Sequence, residues 1–178
     1  VAATTHAFTD GRDTAPAIAD EFLETVADTA AQCGTGAVAT VTGRYYAMDR
    51  DENWDRTRRA YDAIVRREAD HVAESGVTAV ETAHARGETD EFIEPTLVAD
   101  EPALVDGDAA IFWNFRADRA RQLVRLLTET EPTWGFELAQ PDVKLVTMTE
   151  YDETFAFPVA FPPDLPEGTL CEVVADSG

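Results

Sequence analysis

Arginines recur in three short polar turns, each placed between an apolar or β-branched segment and a predicted helix. The turns cover residues 11–13, 43–51 and 114–119. The planar arginine fork binds phosphate and carboxylate groups in a two-point geometry that lysine does not reproduce. Several such forks in one place would bind a small organic anion. The residue types therefore favour anion recognition, provided that the fold brings the three turns together.

The third turn carries two arginines three residues apart, Arg116 and Arg119, followed by apolar residues at helical spacing. We expect a helix to begin there with Asn114 as its N-cap. Cations in a first helical turn oppose the helix dipole, and a bound phosphate or carboxylate would reverse that effect. The alternative that stays open is that both arginines are solvated or paired with nearby acids.

The apolar pattern alternates between strand and helix along the chain. Strands are predicted at 1–8, 37–42, 109–114 and 143–149, and helices at 16–33, from about 54 to 85, and after 114. This alternation predicts one α/β domain over residues 1–178, a three-layer α/β/α arrangement with a mostly parallel or mixed sheet. Ligands of open α/β sheets bind beyond the carboxyl ends of the strands. Neighbouring parallel strands would thus gather the arginines, and Gly11 and Gly43 would let the backbone approach the ligand.

The net charge is −21, with 35 acidic residues against 13 arginines and one lysine, Lys144. Such a surface repels nucleic acid and anionic membranes, so we expect neither as a partner. Many acids with almost no lysine resemble the surfaces of proteins from salt-loving microbes, which suggests a halophilic protein. Cys33 and Cys171 lie far apart without metal spacing, which fits a reducing cytoplasm. The three histidines are scattered, so no metal site is expected in this span.

Several segments together resemble the cofactor-independent (2,3-bisphosphoglycerate-independent) phosphoglycerate mutase family, in its order and at its spacing. They are residues 6–14 (HAFTDGRDT), 43–51 (GRYYAMDRD), 54–56 (WDR), 90–92 (DEF), 114–122 (NFRADRARQ) and 159–163 (VAFPP).

The resemblance implies a two-domain enzyme. A phosphatase-like domain carries a serine nucleophile and two divalent metal ions, typically Mn²⁺, and an inserted phosphotransferase domain binds the substrate. This chain resembles the inserted domain, so we expect a piece of a longer protein that is inactive alone. Its partner would be the phosphatase-like domain of the same chain. No 2,3-bisphosphoglycerate would be needed.

The resemblance also assigns residues. The substrate-binding positions that it implies are Arg12, Asp13, Arg44, Arg50, Arg116 and Arg119. Ala117 stands where proline is usual in the family. Proline at this position would only pre-set the first helical turn, so we expect its replacement to have a minor effect. Asp13 is the candidate for general acid/base work on the glycerate hydroxyls. Its alternative role is an ion-pair partner that orients Arg12 or a neighbouring arginine.

The implied function is an isomerase of glycolysis and gluconeogenesis that interconverts 3-phosphoglycerate and 2-phosphoglycerate through a phosphoserine intermediate. The arginines would retain glycerate between the two transfers. Two alternatives stay open: a non-catalytic phosphate- or organic-acid-binding module, and another phosphomutase on the same scaffold. We further expect Asp49 and Asp118 to orient arginines. Trp54, Trp113 and Trp134 are expected in the core or partly buried.

Overall fold

A computed structural model describes residues 2–128, 133–164, 168 and 173–175. Cys171 lies outside these residues. The described elements are β1 (Thr4–Thr9), α1 (Ala19–Cys33), β2 (Ala37–Gly43), α2 (Arg44–Ala47), α3 (Trp54–Tyr61), β3 (His71–Ala73), α4 (Gly76–Ala85), β4 (Thr96–Val98), β5 (Ala109–Phe112), α5 (Arg121–Thr128), β6 (Lys144–Thr149) and β7 (Val159–Phe161). The predicted α/β class is confirmed.

The strands form a mixed four-stranded sheet and a parallel three-stranded sheet. Their orders are β1-β2-β4-β3 and β5-β6-β7. In the first sheet β1 runs parallel to β2, with Thr9 opposite Gly43, so both strands end at the same edge. The rings of Phe8 in β1 and Phe112 in β5 lie 5.8 Å apart. This contact brings the carboxyl ends of all three predicted strands close together.

Two apolar cores stabilise the arrangement. Helices α1 and α4 pack on the four-stranded sheet through residues such as Leu23, Val80 and Val41. Helices α3 and α5 pack with the second sheet through residues such as Tyr61 and Leu123. Helix α1 ends where predicted, because Gly34 takes the left-handed conformation (φ 65°) and donates its N–H to carbonyls of the last turn.

The predicted continuation of helix from about residue 54 to 85 is wrong. After α3 the chain makes a π-helical turn over Asp62–Arg66, and Arg67 then takes a left-handed conformation with φ 56°. The Arg67 guanidinium donates to the carbonyls of Ala39 (2.8 Å) and Val98. That docking ends the helix and lets β3 form beside β4. A new helix, α4, begins after Ser75, whose Oγ accepts the N–H of Thr78.

The predicted helix start at Asn114 is also wrong, because α5 begins at Arg121. The hydroxyl of Tyr151 donates to the carbonyls of Phe112 and Asn114. These carbonyls are thereby engaged by a distant segment, so the backbone after β5 stays irregular.

Thr149 also engages a carbonyl of this segment. Its Oγ1 hydroxyl donates to the carbonyl of Phe115 at 2.9 Å. Arg116 and Arg119 therefore lie in an irregular turn before α5 and not in a first helical turn. The helix-dipole argument does not apply to them.

The three tryptophans differ in how deeply they are buried. Trp54 and Trp134 pack with ring centroids 5.6 Å apart, and Trp134 is buried. Trp113 is 71% exposed, so its predicted burial is wrong. The reason is the alternation of side chains along an extended segment. Phe112 faces the core, so the next side chain, Trp113, points to the opposite side. Among the helices of the described residues, none combines the length and apolar character needed to cross a membrane.

Candidate anion-binding site

The turns after β1 and β2 are built against one short segment, a 3₁₀ turn at Asp90–Phe92. A Cβ atom on Gly11 would lie 2.6 Å from the backbone nitrogen of Glu91, and one on Gly43 would lie 2.5 Å from its carbonyl oxygen. Gly11 also has φ 64°, in the left-handed region. Both glycines therefore admit another part of the chain. The expectation that these turns let the backbone approach a ligand stays a prediction.

Asp90 anchors this segment to the start of α1. Its carboxylate is buried and accepts the N–H groups of Ile18 (2.9 Å) and Ala19 (3.0 Å). Nε2 of His84 lies 2.7 Å from the other carboxylate oxygen. A side chain that is distant in sequence thus caps α1, a role that local capping patterns cannot predict.

The first arginine of the site, Arg44, is nearly enclosed. Its side chain is 6% exposed, and Nη1 donates to Asp13 at 3.0 Å and also to Asp10. Burial acts to lower the pKa of Arg44, but the hydrogen bonds that it donates to the two carboxylates, together with their charges, outweigh burial and raise the pKa. The hydrogen bond from Arg44 and its charge hold the pKa of Asp13 below the ordinary value. The result is a fixed group of charges at the β1 and β2 ends.

Arg12 lies beside this group but points to solvent. Its side chain is 64% exposed, and Nη1 donates to Oε1 of Glu91 at 3.3 Å. The two acids that hold arginines here, Asp10 and Glu91, were not among the predicted site residues. Both lie in segments that resemble the family, residues 6–14 and 90–92, so the sequence offered a signal for each. Their pairing with Arg44 and Arg12 depends on the fold.

A second arginine group surrounds Asp118. Nη1 of Arg50 donates to its carboxylate at 2.7 Å, and Arg116 lies 3.7 Å from the same oxygen. Burial raises the pKa of Asp118, but Arg50, Arg116 and Arg119 lower it, and the net pKa is depressed. Arg119 also donates Nη1 to the carbonyl of Met48 at 3.0 Å. Asp118 is expected to orient arginines, and its contacts with Arg50 and Arg116 are consistent with that role.

Arg116 connects the two groups. Its guanidinium is 72% exposed, and its charge lowers the pKa of both Asp13 and Asp118. The structure therefore brings the predicted residues into one neighbourhood, although their roles in binding stay predictions. We call the set the arginine cluster: Arg12, Arg44, Arg50, Arg116 and Arg119.

The chemistry of the arginine cluster suits a small polyvalent anion. Arg12, Arg50 and Arg116 are the more exposed members, with 64%, 48% and 72% of each side chain accessible. A ligand phosphate or carboxylate can replace the solvent-exposed contacts of these side chains with two-point hydrogen bonds. Arg44, by contrast, is nearly buried and already pairs with Asp10 and Asp13 through Nη1.

A different cleft, about 430 Å³ in volume, lies between the end of α1 and the start of α4. Its walls are mostly small or apolar, including Ala27, Ala30 and Val77, and its charged lining residues are Glu74 and Glu101. These acids repel an anion. The arginine cluster is therefore the better candidate for the functional site.

Residues 1–153 match the family model described as "BPG-independent PGAM N-terminus (iPGM_N)". The chain belongs to the 2,3-bisphosphoglycerate-independent phosphoglycerate mutase family. It is 62% identical to the enzyme of that name from Natronomonas pharaonis and 58% identical to that from Haloarcula marismortui, in each case over 99% of this chain. The chain spans 35% and 34% of the length of these curated relatives. The predicted resemblance is confirmed.

The fold agrees with the family. A crystal structure of Leishmania mexicana phosphoglycerate mutase, determined at low cobalt concentration, superposes with a TM-score of 0.85 at 27% identity. The match covers 98% of this chain and 34% of that one.

The metal ions that the resemblance implies do not fit the part of this chain that the structure describes. Its histidine, cysteine, aspartate and glutamate side chains form no group of three or more placed to hold a metal ion. His6, His71 and His84 instead lie against Thr40, Glu94 and Asp90. No step involving a metal is assigned to these residues.

Proposed function

We propose that this chain is the substrate-binding phosphotransferase domain of a phosphoglycerate mutase that interconverts 3-phosphoglycerate and 2-phosphoglycerate. One observation supports this most strongly: arginines from three separate turns act on two carboxylates. Arg44 bonds to Asp13 at 3.0 Å and Arg50 to Asp118 at 2.7 Å, and the charge of Arg116 lowers the pKa of both acids. The names of the relatives support the choice of reaction. The substrate carries a carboxylate and a phosphate, both of which arginine binds well.

In this proposal the chain holds glycerate while its phosphoryl group is elsewhere. The exposed forks of Arg50 and Arg116 bind the anionic groups, and Asp118 keeps these forks facing one another. Glycerate then reorients without leaving, so that its other hydroxyl accepts the phosphoryl group. Loss of glycerate at this stage would turn the enzyme into a phosphatase.

Asp13 is proposed as the general acid/base for the glycerate hydroxyls. Its carboxylate is exposed and ionised, and Arg44 holds its pKa below the ordinary value, which weakens it as a base. The alternative is that Asp13 only positions Arg44. Asp13→Asn separates the two roles in the full-length enzyme. Loss of transfer with unchanged substrate affinity supports acid/base catalysis, whereas weaker binding at unchanged turnover supports positioning.

The remainder of the proposed enzyme is a phosphatase-like domain of the same chain, with a serine nucleophile and two divalent ions, Mn²⁺ by resemblance. We place the enzyme in the cytoplasm of a halophile. The net charge of −21 and the high identity to the Natronomonas and Haloarcula proteins support a salt-rich interior. In molar salt, repulsion between the acids is screened within a few Å.

The test is an assay of the full-length protein with Mn²⁺ and each phosphoglycerate isomer. We expect interconversion without added 2,3-bisphosphoglycerate. Phosphoglycerate binding without interconversion would overturn the proposal and favour the non-catalytic binding module. Unfolding across a salt series tests the halophilic assignment, which greater stability in low salt would contradict.

A further inference from the structure

The loop that carries Arg50 is tied to the start of α5 by two buried polar side chains. We call residues 48–53 the arginine loop. Gln122, the second residue of α5, is buried and uses both ends of its amide. Oε1 accepts the N–H of Glu52 at 2.8 Å, and Nε2 donates to Asp49 (2.9 Å) and Thr57 (3.0 Å). One side chain thus connects α5, the loop and α3.

Asp49 completes the tie from the loop side. Its carboxylate, 5% exposed, accepts the N–H groups of Asp51 (3.1 Å) and Asn53 (2.9 Å) as well as the Gln122 amide. Burial raises the pKa of Asp49, but the hydrogen bonds donated by Asn53, Gln122 and Asp51 lower the pKa by a larger amount, so the carboxylate stays ionised. Arg56 lies at 3.5 Å. Asp49 therefore holds backbone in place, in contrast to Asp118, which pairs with arginines.

The backbone of the arginine loop needs such support. Glu52 has φ 59°, a left-handed conformation that costs free energy in a residue with a side chain. The N–H of this residue is the group that Gln122 binds. Arg119 adds a bond to the carbonyl of Met48 at the other end of the loop. The loop is consequently fixed at both ends against the segment that carries Arg116 and Arg119.

We propose that Asp49 and Gln122 are positioning residues for the mutase reaction, which set the spacing of Arg50 relative to Arg116 and Arg119. The inference rests on the proposed function. Neither residue needs to touch the substrate. An amide is required at position 122, because the site needs an acceptor for a backbone N–H and a donor for a carboxylate on one side chain. A fixed loop lets the arginines bind glycerate without first paying the entropy of ordering it.

The predicted consequence concerns how often glycerate escapes between the two transfers. The measured quantity is the ratio of inorganic phosphate released to isomerised product formed. Both terms scale with the amount of active enzyme, so a variant that merely folds less well leaves the ratio unchanged. A variant with a misplaced Arg50 raises it, because glycerate is held less tightly.

Gln122→Met in the full-length enzyme is the test, since it keeps the shape of the side chain and removes both polar ends. The matched control is Gln140→Met, because Gln140 donates to the carbonyls of Arg125 (3.2 Å) and Leu126 (2.9 Å) at the far end of α5. We expect Gln122→Met to raise both the phosphate-to-isomer ratio and KM by about tenfold or more. Gln140→Met should leave both unchanged.

A ratio and KM at wild-type values in Gln122→Met, with the wild type active, would overturn the positioning role alone. A wild-type enzyme without isomerase activity would instead overturn the proposed function. Hydrogen exchange of the wild type covers the case in which Gln122→Met does not fold. The amides of Glu52 and Asn53 should be protected in the absence of substrate, and exchange at the rate of an unstructured peptide would refute the tie.

Discussion

Arg44 and Arg116 have the same predicted role but opposite surroundings. The side chain of Arg44 is 6% exposed and donates to Asp10 and Asp13. That of Arg116 is 72% exposed and approaches Asp118 at 3.7 Å. One arginine is part of the packed structure at the ends of β1 and β2, whereas the other stands in an irregular turn open to solvent.

The difference shows that a binding surface can be built from fixed and available charges together. The β1–β2 side is fixed by buried contacts, such as Asp90 at the start of α1. Around Asp118, by contrast, the exposed forks of Arg50 and Arg116 can exchange their contacts for a ligand. Substitution of the buried groups should therefore damage stability, and substitution of the exposed arginines should damage binding.

The largest expected loss of stability comes from Gly43→Ala. The new Cβ would lie 2.5 Å from the carbonyl oxygen of Glu91, a backbone atom that cannot move alone. We expect the free energy of unfolding to fall by about 3 kcal/mol. Gly135→Ala is the matched control, because no neighbouring atom of the described residues lies within 4 Å of its added Cβ. Thermal unfolding of both full-length variants in high salt checks this, and equal midpoints would show that the β1–β2 side is not tightly packed.

Arg44→Ala should cost about 2–3 kcal/mol, since it leaves two neighbouring carboxylates without their shared cation. Arg116→Ala should change the free energy of unfolding by less than about 0.5 kcal/mol, as expected for an exposed pair. Denaturant unfolding of the two variants measures the contrast directly. A stability loss for Arg116→Ala as large as that for Arg44→Ala would remove the distinction between the two sides.

Stability should also depend on pH, through His6 on β1. Burial, with a smaller contribution from the charge of Arg67, lowers the pKa of His6 to about 4. Below pH 6.5 His6 binds a proton in the unfolded chain, whereas in the folded chain it stays neutral down to about pH 4. Stability therefore falls as pH decreases through this window. We expect a loss of about 2 kcal/mol by pH 5 and about 3 kcal/mol at pH 4.

His6→Asn, which cannot titrate, isolates this contribution. The comparison is the slope of unfolding free energy against pH between 6.5 and 4, measured for wild type and variant. The wild type should lose stability more steeply. Parallel curves would show that burial of His6 does not contribute to acid sensitivity.

The sequence supported the α/β class and the arginine turns, because strand patterns and motif spacing are local signals. It could not place the start of α5, which depends on hydroxyls of Thr149 and Tyr151 bonding to carbonyls after β5. The capping of α1 by Asp90 and the pairing of Arg12 with Glu91 likewise join residues more than 70 positions apart. Such contacts exist only once the chain has folded.

The central claim is that arginines from different turns bind one small anion. Calorimetric titration of the metal-free full-length enzyme with 3-phosphoglycerate tests it most directly, using Arg12→Ala from the turn after β1 and Arg50→Ala from the arginine loop. Each substitution should weaken binding by about tenfold or more. Wild-type affinity in either variant would place that arginine outside the site and contradict the account.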